Sequence, residues 1–154
     1  MEILSRSPIQ TKKTGEILAK EILKMKPGKK AIVLGLEGDL GGGKTTFLQG
    51  FARGLGIKEK ILSPTFVILK RFNINSKISG FKHFYHFDCY RIKQSKEILS
   101  LGFKEIISNP KNIIALEWAD RIHKIMPQSI LKIKFEFLGK NTRKIIISLK
   151  TVKL

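Results

Sequence analysis

Nine residues in the first third of the chain have the types and spacing of a phosphate-binding loop. The stretch Gly38 to Thr46 reads Gly-Asp-Leu-Gly-Gly-Gly-Lys-Thr-Thr, which fits the P-loop pattern G-x-x-x-x-G-K-[ST]. Glycines allow positive φ values and close backbone approach, so successive N–H groups can surround a polyphosphate at a helix N-terminus. Lys44 can then reach the β- and γ-phosphates, and the Thr45 hydroxyl can ligate Mg²⁺. The alternative is a glycine-rich turn that matches the pattern by chance.

The segments on either side of this loop favour nucleotide binding. Residues 31–36 form a short apolar run, which is typical of a parallel strand covered on both faces. The segment after the loop carries apolar residues at helical spacing, namely Phe47, Leu48, Phe51 and Leu55. A P-loop requires a buried strand before it and a helix after it, and both are predicted here.

Two acids that end predicted strands are candidates for hydrolytic chemistry. Glu117 closes the apolar strand predicted at 112–117, which is the place of the Walker B carboxylate that serves Mg²⁺ and the attacking water. Asp88 closes the strand predicted at 81–88 and stands in the group His-Phe-Asp-Cys-Tyr-Arg at 86–91. A histidine alone at this place would more often be structural, but the polar group as a whole predicts a functional role for Asp88.

Two neighbours of Glu117 have simpler interpretations. Asp120 is predicted to cap a helix at 119–125. Trp118 is predicted either to pack in the core or to stack on a partner or a base.

The other segments are predicted to position these groups. They are an edge strand at 3–7, a helix from the candidate N-cap Thr11 to the Pro27-Gly28 stop, a hairpin of strands at 65–72 and 81–88, short helices at 94–99 and 103–107, and a C-terminal antiparallel hairpin at 131–137 and 143–149. The C-terminal hairpin carries no candidate catalytic group and is predicted to be scaffold. We therefore predict an α/β fold, P-loop NTPase-like, with a central sheet flanked by helices and one domain over residues 1–154.

Composition limits the partners and the compartment. The net charge of +18, from 30 basic and 12 acidic residues, indicates either a nucleic-acid partner or a lysine-rich surface that reflects biased composition. No membrane span and no signal peptide pattern stands out, so we expect a cytoplasmic protein without a membrane partner. The single cysteine, Cys89, cannot form an internal disulfide.

The ordered motifs resemble one family, the bacterial P-loop ATPases of tRNA threonylcarbamoyladenosine biosynthesis called TsaE, formerly YjeE. The resemblance covers nearly the whole chain. It is carried, in order, by Thr11 with Gly15, Gly38 to Thr46, Ser63 to Phe66, His86 to Arg91, Leu101-Gly102 and Glu117-Trp118. The P-loop is common to many families, whereas the ordered set is far more specific.

The resemblance implies a Mg²⁺-dependent ATPase that acts with a complex of TsaD and TsaB. That complex forms threonylcarbamoyladenosine next to the anticodon of tRNAs that read codons beginning with A. The resemblance implies that the protein acts as a switch. ATP binding would dock it on the complex, and ATP hydrolysis would reset that complex between turnovers. We therefore expect slow hydrolysis without the partners, and indirect contact with tRNA through the complex as one way in which the protein meets its RNA.

The resemblance also implies roles for individual residues. Nucleotide contacts fall to Thr11, Asp39, Leu40, Gly41, Gly42, Gly43, Lys44, Thr45 and Thr46, metal ligation to Thr45 and Glu117, catalysis to Asp88, Glu117 and Lys44, and a nucleotide-sensing switch to Ser63–Phe66. Two residues depart from the family pattern. Gly42 replaces an alanine, which should loosen the free loop slightly, and Arg71 replaces a common glutamate.

Two other functions stay open. A small-molecule P-loop kinase would use the same loop, but no inserted substrate lid stands out in 154 residues. A non-enzymatic RNA-binding module is the third candidate and would bind RNA regardless of nucleotide.

Overall fold

The structure is a computed structural model that describes residues 1–39, 41–62 and 67–151. The predicted nucleotide contact Leu40 and the predicted switch segment Ser63–Phe66 lie outside the described residues. The strands are β1 (Glu2–Ser5), β2 (Ile32–Glu37), β3 (Leu69–Asn73), β4 (His83–Asp88), β5 (Asn112–Glu117), β6 (Ser129–Phe137) and β7 (Arg143–Thr151). The helices are α1 (Pro8–Leu23), α2 (Lys44–Gly54), α3 (Ser95–Leu99), α4 (Phe103–Ser108) and a 3-10 helix (Ala119–Ile125).

The strands form one seven-stranded sheet in the order β1-β7-β6-β2-β5-β4-β3. The central strand β2 runs parallel to β5 and β6, and β4 runs parallel to β5. The pairs β1–β7, β6–β7 and β3–β4 are antiparallel. The predicted α/β fold with antiparallel hairpins, including one at the C-terminus, is confirmed.

Helices cover both faces of the sheet because successive residues of β2 point to opposite sides. Leu34 joins the core formed with α1 and α2, whereas Val33 joins the core formed with α3, α4 and the 3-10 helix. The α2 face is rich in aromatic rings, with Phe47, Phe51 and Phe84 all fully buried. None of the helices in the described ranges combines the length and apolar character that crossing a membrane requires.

Glycines let α1 and α2 pack backbone against backbone. A Cβ atom at Gly50 would lie 1.8 Å from the carbonyl oxygen of Lys12, and one at Gly15 would lie 2.2 Å from that of Phe47. Real atoms do not approach so closely, so only glycine fits at either position. The same contact brings Thr11 of α1 to the start of α2, where its methyl group would lie 3.6 Å from a Cβ at Gly43.

The structure corrects two predicted helix caps. Helix α1 begins at Pro8, and Ser7 is its N-cap, with Ser7 Oγ accepting a hydrogen bond from the Gln10 N–H at 3.2 Å. Proline suits the first helical position because its fixed φ is helical and its missing N–H is not needed there. The prediction of Thr11 as N-cap is therefore wrong, and its hydroxyl instead lies 2.7 Å from Ser5 Oγ in a buried contact.

The second correction concerns Asp120. The segment after β5 is a 3-10 helix whose N-cap is Trp118, without a capping side-chain hydrogen bond, and Asp120 lies in the first turn. The prediction that Asp120 caps this helix is therefore wrong.

Candidate functional site

A cleft forms where the carboxyl ends of parallel strands meet the N-terminus of α2. Glu117, the last residue of β5, pairs with Asp88, the last residue of β4, so the two acids are neighbours across the sheet. Residues that line the cleft are Ser7, Pro8, Thr11, Gly41, Gly42, Gly43, Lys44, Thr45, Thr46, Asp88, Glu117, Trp118, Lys140, Asn141 and Arg143. Ligands commonly bind at this edge of an open α/β sheet.

The P-loop backbone depends on glycine at several positions. Gly41 and Gly43 have φ values of +74° and +97°, which side chains rarely allow. Gly43 is the N-cap of α2 and has no side chain to cap this helix end, so the first N–H groups and the helix dipole can serve an anion. At Gly42, a Cβ would lie 2.8 Å from the Asp39 carbonyl oxygen, so the family's alanine would require a small shift of the loop.

The Lys44 ammonium lies inside the loop. Its Nζ donates hydrogen bonds to the carbonyl oxygens of Gly38 and Asp39, the latter at 2.8 Å. It also lies 4.1 Å from the centroid of the Trp118 ring. Burial lowers the pKa of Lys44, and the charge of Glu117 partly counteracts this effect. The cation thus contacts two backbone carbonyl oxygens and the face of an aromatic ring, and the charge of Glu117 also favours it.

The Glu117 carboxylate is fixed by two partners. Thr45 Oγ1 donates to Glu117 Oε1 at 3.1 Å, and His86 Nε2 lies 2.8 Å from Glu117 Oε2. Glu117 and His86 are only 2% and 3% exposed, so this contact is sheltered from water. The histidine of the predicted polar group therefore orients the carboxylate and does not line the cleft itself.

Thr45 and Glu117 together fit a Mg²⁺ site. A hydroxyl and a carboxylate oxygen 3.1 Å apart are the hard oxygen donors that Mg²⁺ prefers. The described part of the chain contains no cluster of three His, Cys, Asp or Glu residues able to hold a metal. Mg²⁺ commonly uses one or two protein ligands, with phosphate oxygens and water completing its coordination.

Asp88 also lines the cleft, beside Glu117 at the end of the neighbouring strand. Its Oδ1 accepts a hydrogen bond from the Tyr90 N–H at 2.9 Å. Burial raises the pKa of Asp88 above its ordinary value of 3.8, and the Glu117 charge acts in the same direction. A half-buried carboxylate beside a metal-site candidate can orient a water molecule and accept its proton.

The structure brings most of the predicted site residues into this one cleft. Thr11, the glycines from Gly41 to Gly43, Lys44 to Thr46, Asp88 and Glu117 all line it. Asp39 is not among the lining residues, and its carbonyl oxygen instead accepts hydrogen bonds from Lys44 and from the Gly42 N–H. Arg71 is exposed on the edge strand β3 and lies outside the lining.

The C-terminal hairpin contributes residues to the cleft, so the prediction that it is only scaffold is wrong. Arg143 donates from Nη2 and Nε to the Gly41 carbonyl oxygen at 2.8 and 3.2 Å, and from Nη1 to that of Gly139 at 2.7 Å. Lys140 and Asn141, in the turn of the hairpin, also line the cleft. The only sequence signal for a role of this hairpin at the cleft was the basic character of its turn. That signal is weak because basic residues occur along the whole chain.

Comparison with known proteins identifies the family. Residues 5–145 match the family model described as threonylcarbamoyl adenosine biosynthesis protein TsaE. A relative from Bacillus subtilis, named tRNA threonylcarbamoyladenosine biosynthesis protein TsaE, is 42% identical over 120 residues, covering 78% of this chain and 69% of the relative. A relative of the same name from Rickettsia felis is 37% identical over 135 residues, covering 87% and 71% of the two chains.

A solved structure supports the same assignment. The crystal structure of YdiB from Bacillus subtilis superposes with a TM-score of 0.75 at 32% sequence identity, covering 99% of this chain and 86% of that one. Fold, ordered motifs and sequence similarity thus agree over most of the chain, which belongs to the TsaE family.

Proposed function

We propose that this protein binds and hydrolyses Mg²⁺-ATP and serves in this way in the formation of threonylcarbamoyladenosine in tRNA. The family membership supports the pathway. The observation that carries the nucleotide chemistry is the convergence of Lys44, Thr45, Asp88 and Glu117 on one cleft at the uncapped N-terminus of α2.

Each group has a defined part in binding. The backbone N–H groups from Gly41 to Thr46 surround the phosphates at the helix N-terminus, and the Lys44 ammonium exchanges its two carbonyl partners for phosphate oxygens. Thr45 and Glu117 would hold Mg²⁺, which neutralises negative charge on the β- and γ-phosphates. His86 keeps the Glu117 carboxylate in place for this task.

Asp88 serves the hydrolytic step. Its carboxylate accepts a hydrogen bond from the attacking water, orients it and takes up its proton. Arg143 fixes the Gly41 carbonyl, so it holds the loop in the conformation that receives the phosphates. The preference for ATP over other nucleotides follows from the family resemblance.

The partners are a complex of TsaD and TsaB. ATP binding favours docking of this protein on that complex, and ATP hydrolysis resets the complex between turnovers. The complex brings the tRNA. Hydrolysis by the isolated protein is slow, because a switch that acts on partners must not consume ATP without them.

Replacing Lys44 with alanine is expected to weaken ADP binding about 10- to 100-fold, because a charge-assisted hydrogen bond to phosphate is lost. Isothermal calorimetry with Mg²⁺ measures this directly. Lys29→Ala removes an exposed lysine that does not line the cleft, so it controls for the loss of a positive charge. Equal ADP affinity in the two variants would argue against nucleotide binding at this loop.

Product analysis tests the reaction itself. The purified protein is incubated with Mg²⁺-ATP alone and with TsaB and TsaD, and phosphate release is measured. We expect stimulation by the partners. Transfer of phosphate to a small metabolite, without an effect of the partners, would establish the kinase alternative instead.

A further inference from the structure

Trp118 has a backbone conformation that its side chain does not favour. Its φ and ψ values are 58° and 44°, in the left-handed region, and it is the only non-glycine residue with positive φ in the described ranges. A bulky residue in this region is an outlier that persists only where the surroundings require it, and such outliers cluster at functional sites. The conformation turns the chain sharply after β5 and places the indole in the cleft.

The indole is held between cationic and aromatic groups. Lys44 Nζ lies 4.1 Å from the ring centroid. The Tyr90 ring centroid lies 5.0 Å away, and the Arg121 guanidinium carbon lies 5.6 Å from the Trp118 ring and 5.1 Å from the Tyr90 ring. Tyr90 and Arg121 therefore hold the indole in position, and the indole in turn contacts the lysine.

An aromatic ring holds a cation in a way that suits a phosphate-binding lysine. A carboxylate in direct contact would bind the ammonium strongly and compete with phosphate for it. The face of tryptophan attracts the ammonium more weakly than a carboxylate in direct contact would, so a phosphate oxygen can take the ammonium from it at a smaller cost. Within the part of the chain that the structure describes, no carboxylate lies within salt-bridge distance of Lys44, although the charges of Glu117 and three aspartates act on it from farther away. The hydrogen-bond partners of the ammonium are carbonyl oxygens.

We propose that Trp118 is a positioning residue for the P-loop lysine, and that its strained backbone conformation serves to set the indole against the Lys44 ammonium. This inference rests on the proposed function, because positioning Lys44 matters only if Lys44 binds phosphate. The contact between the two side chains, however, can be tested without any nucleotide.

The first test is spectroscopic and uses the nucleotide-free protein. Protons above an aromatic ring resonate upfield, so one lysine ε-methylene signal of the protein labelled with ¹³C-lysine should lie upfield of the others. It should be absent in Lys44→Met and return to the ordinary position in Trp118→Leu. The chain has one tryptophan, so its single indole N–H signal should shift in Lys44→Met and stay in place in the control Lys29→Met. The proposal would be overturned if no lysine ε-methylene signal of the wild type lay upfield of the others.

The second test compares Trp118→Phe with Trp118→Leu. Both replacements are unbranched at Cβ and meet the same left-handed backbone penalty, so they differ chiefly in the presence of a π face. Trp118→Leu is expected to weaken ADP binding about 3- to 30-fold, whereas Trp118→Phe should stay within about threefold of the wild type. Thermal melting of both variants checks that they fold equally well.

The outcomes separate this inference from the proposed function. If the wild type binds ADP and the two Trp118 variants bind it equally, the positioning role is refuted and the proposed function stands. If the wild type binds no nucleotide, the proposed function fails, and the lysine and indole signals of the nucleotide-free protein still decide whether the contact exists. Should Trp118→Leu not fold, the Lys44→Met spectrum gives the same decision.

Discussion

Replacing Asp88 with asparagine is expected to leave ADP affinity within about threefold of the wild type and to slow ATP hydrolysis by about 100-fold or more. The amide keeps the shape of the side chain but cannot accept a proton from the attacking water, and general-base catalysis typically contributes 10²- to 10⁴-fold. Calorimetry measures the first quantity and phosphate release, with TsaB and TsaD present, measures the second.

The acid limb of the pH–rate profile belongs to the same prediction. Burial raises the pKa of Asp88, and only its ionised form can act as base, so the rate should fall as pH is lowered through this raised value. The fall therefore begins at higher pH than for an exposed aspartate. In Asp88→Asn the remaining activity should lose this dependence.

Stability provides an independent check on Asp88. A carboxyl group whose pKa is higher in the folded than in the unfolded protein opposes folding once it is ionised, that is, as pH rises above its unfolded pKa. At pH 7 the Asp88→Asn protein should therefore melt no lower than the wild type. Asp120→Asn is the matched control, since it removes a nearby exposed carboxylate outside the cleft and should hydrolyse ATP normally. A wild-type rate in Asp88→Asn would refute the assignment.

Local sequence signals were sufficient for the elements that form the proposed phosphate site. The apolar run, the glycines and the helical spacing predicted β2, the loop and α2, and the structure has them at 32–37 and 44–54. The strand ending at Glu117 was predicted with the bounds that the structure shows. These signals are local because each depends on burial and backbone geometry within a few residues.

Contacts that depend on sheet order could not be predicted in this way. Arg143 reaches Gly41 because β6 pairs in parallel with β2, which brings the turn of the C-terminal hairpin to the P-loop edge of the sheet. The alternating pattern of 131–137 predicts a half-buried strand but does not say which strand it joins. Similarly, the contact between Lys44 and Trp118 joins residues far apart in the chain, and nothing in either segment alone predicts it.

The backbone contact between α1 and α2 gives the prediction with the largest effect on stability. Gly50→Ala is expected to lower the free energy of unfolding by about 2 to 4 kcal/mol and the melting temperature by roughly 6 to 12 °C. In a helix interior this change ordinarily stabilises by up to about 1 kcal/mol. Here the added Cβ would lie 1.8 Å from the Lys12 carbonyl oxygen and 2.5 Å from its carbon, so the two backbones must separate.

That separation would loosen more than one contact. Phe47 and Phe51 of α2 are fully buried in the core that includes Ala19 and Ile22 of α1, and moving α1 outward would open voids among them. The Gly50→Ala protein should also bind ADP more weakly, because α1 carries Thr11 beside the start of α2.

Gly28→Ala is the matched control for this effect. A Cβ at Gly28 would meet nothing within 4 Å, and its φ lies outside the left-handed region, so the change should alter stability by no more than about 1 kcal/mol. Thermal and denaturant melting of both variants, read against the wild type, measure the difference. If the two variants had the same melting temperature, α1 and α2 could not be packed backbone against backbone. The placement of Thr11 at the P-loop would then lose its structural basis.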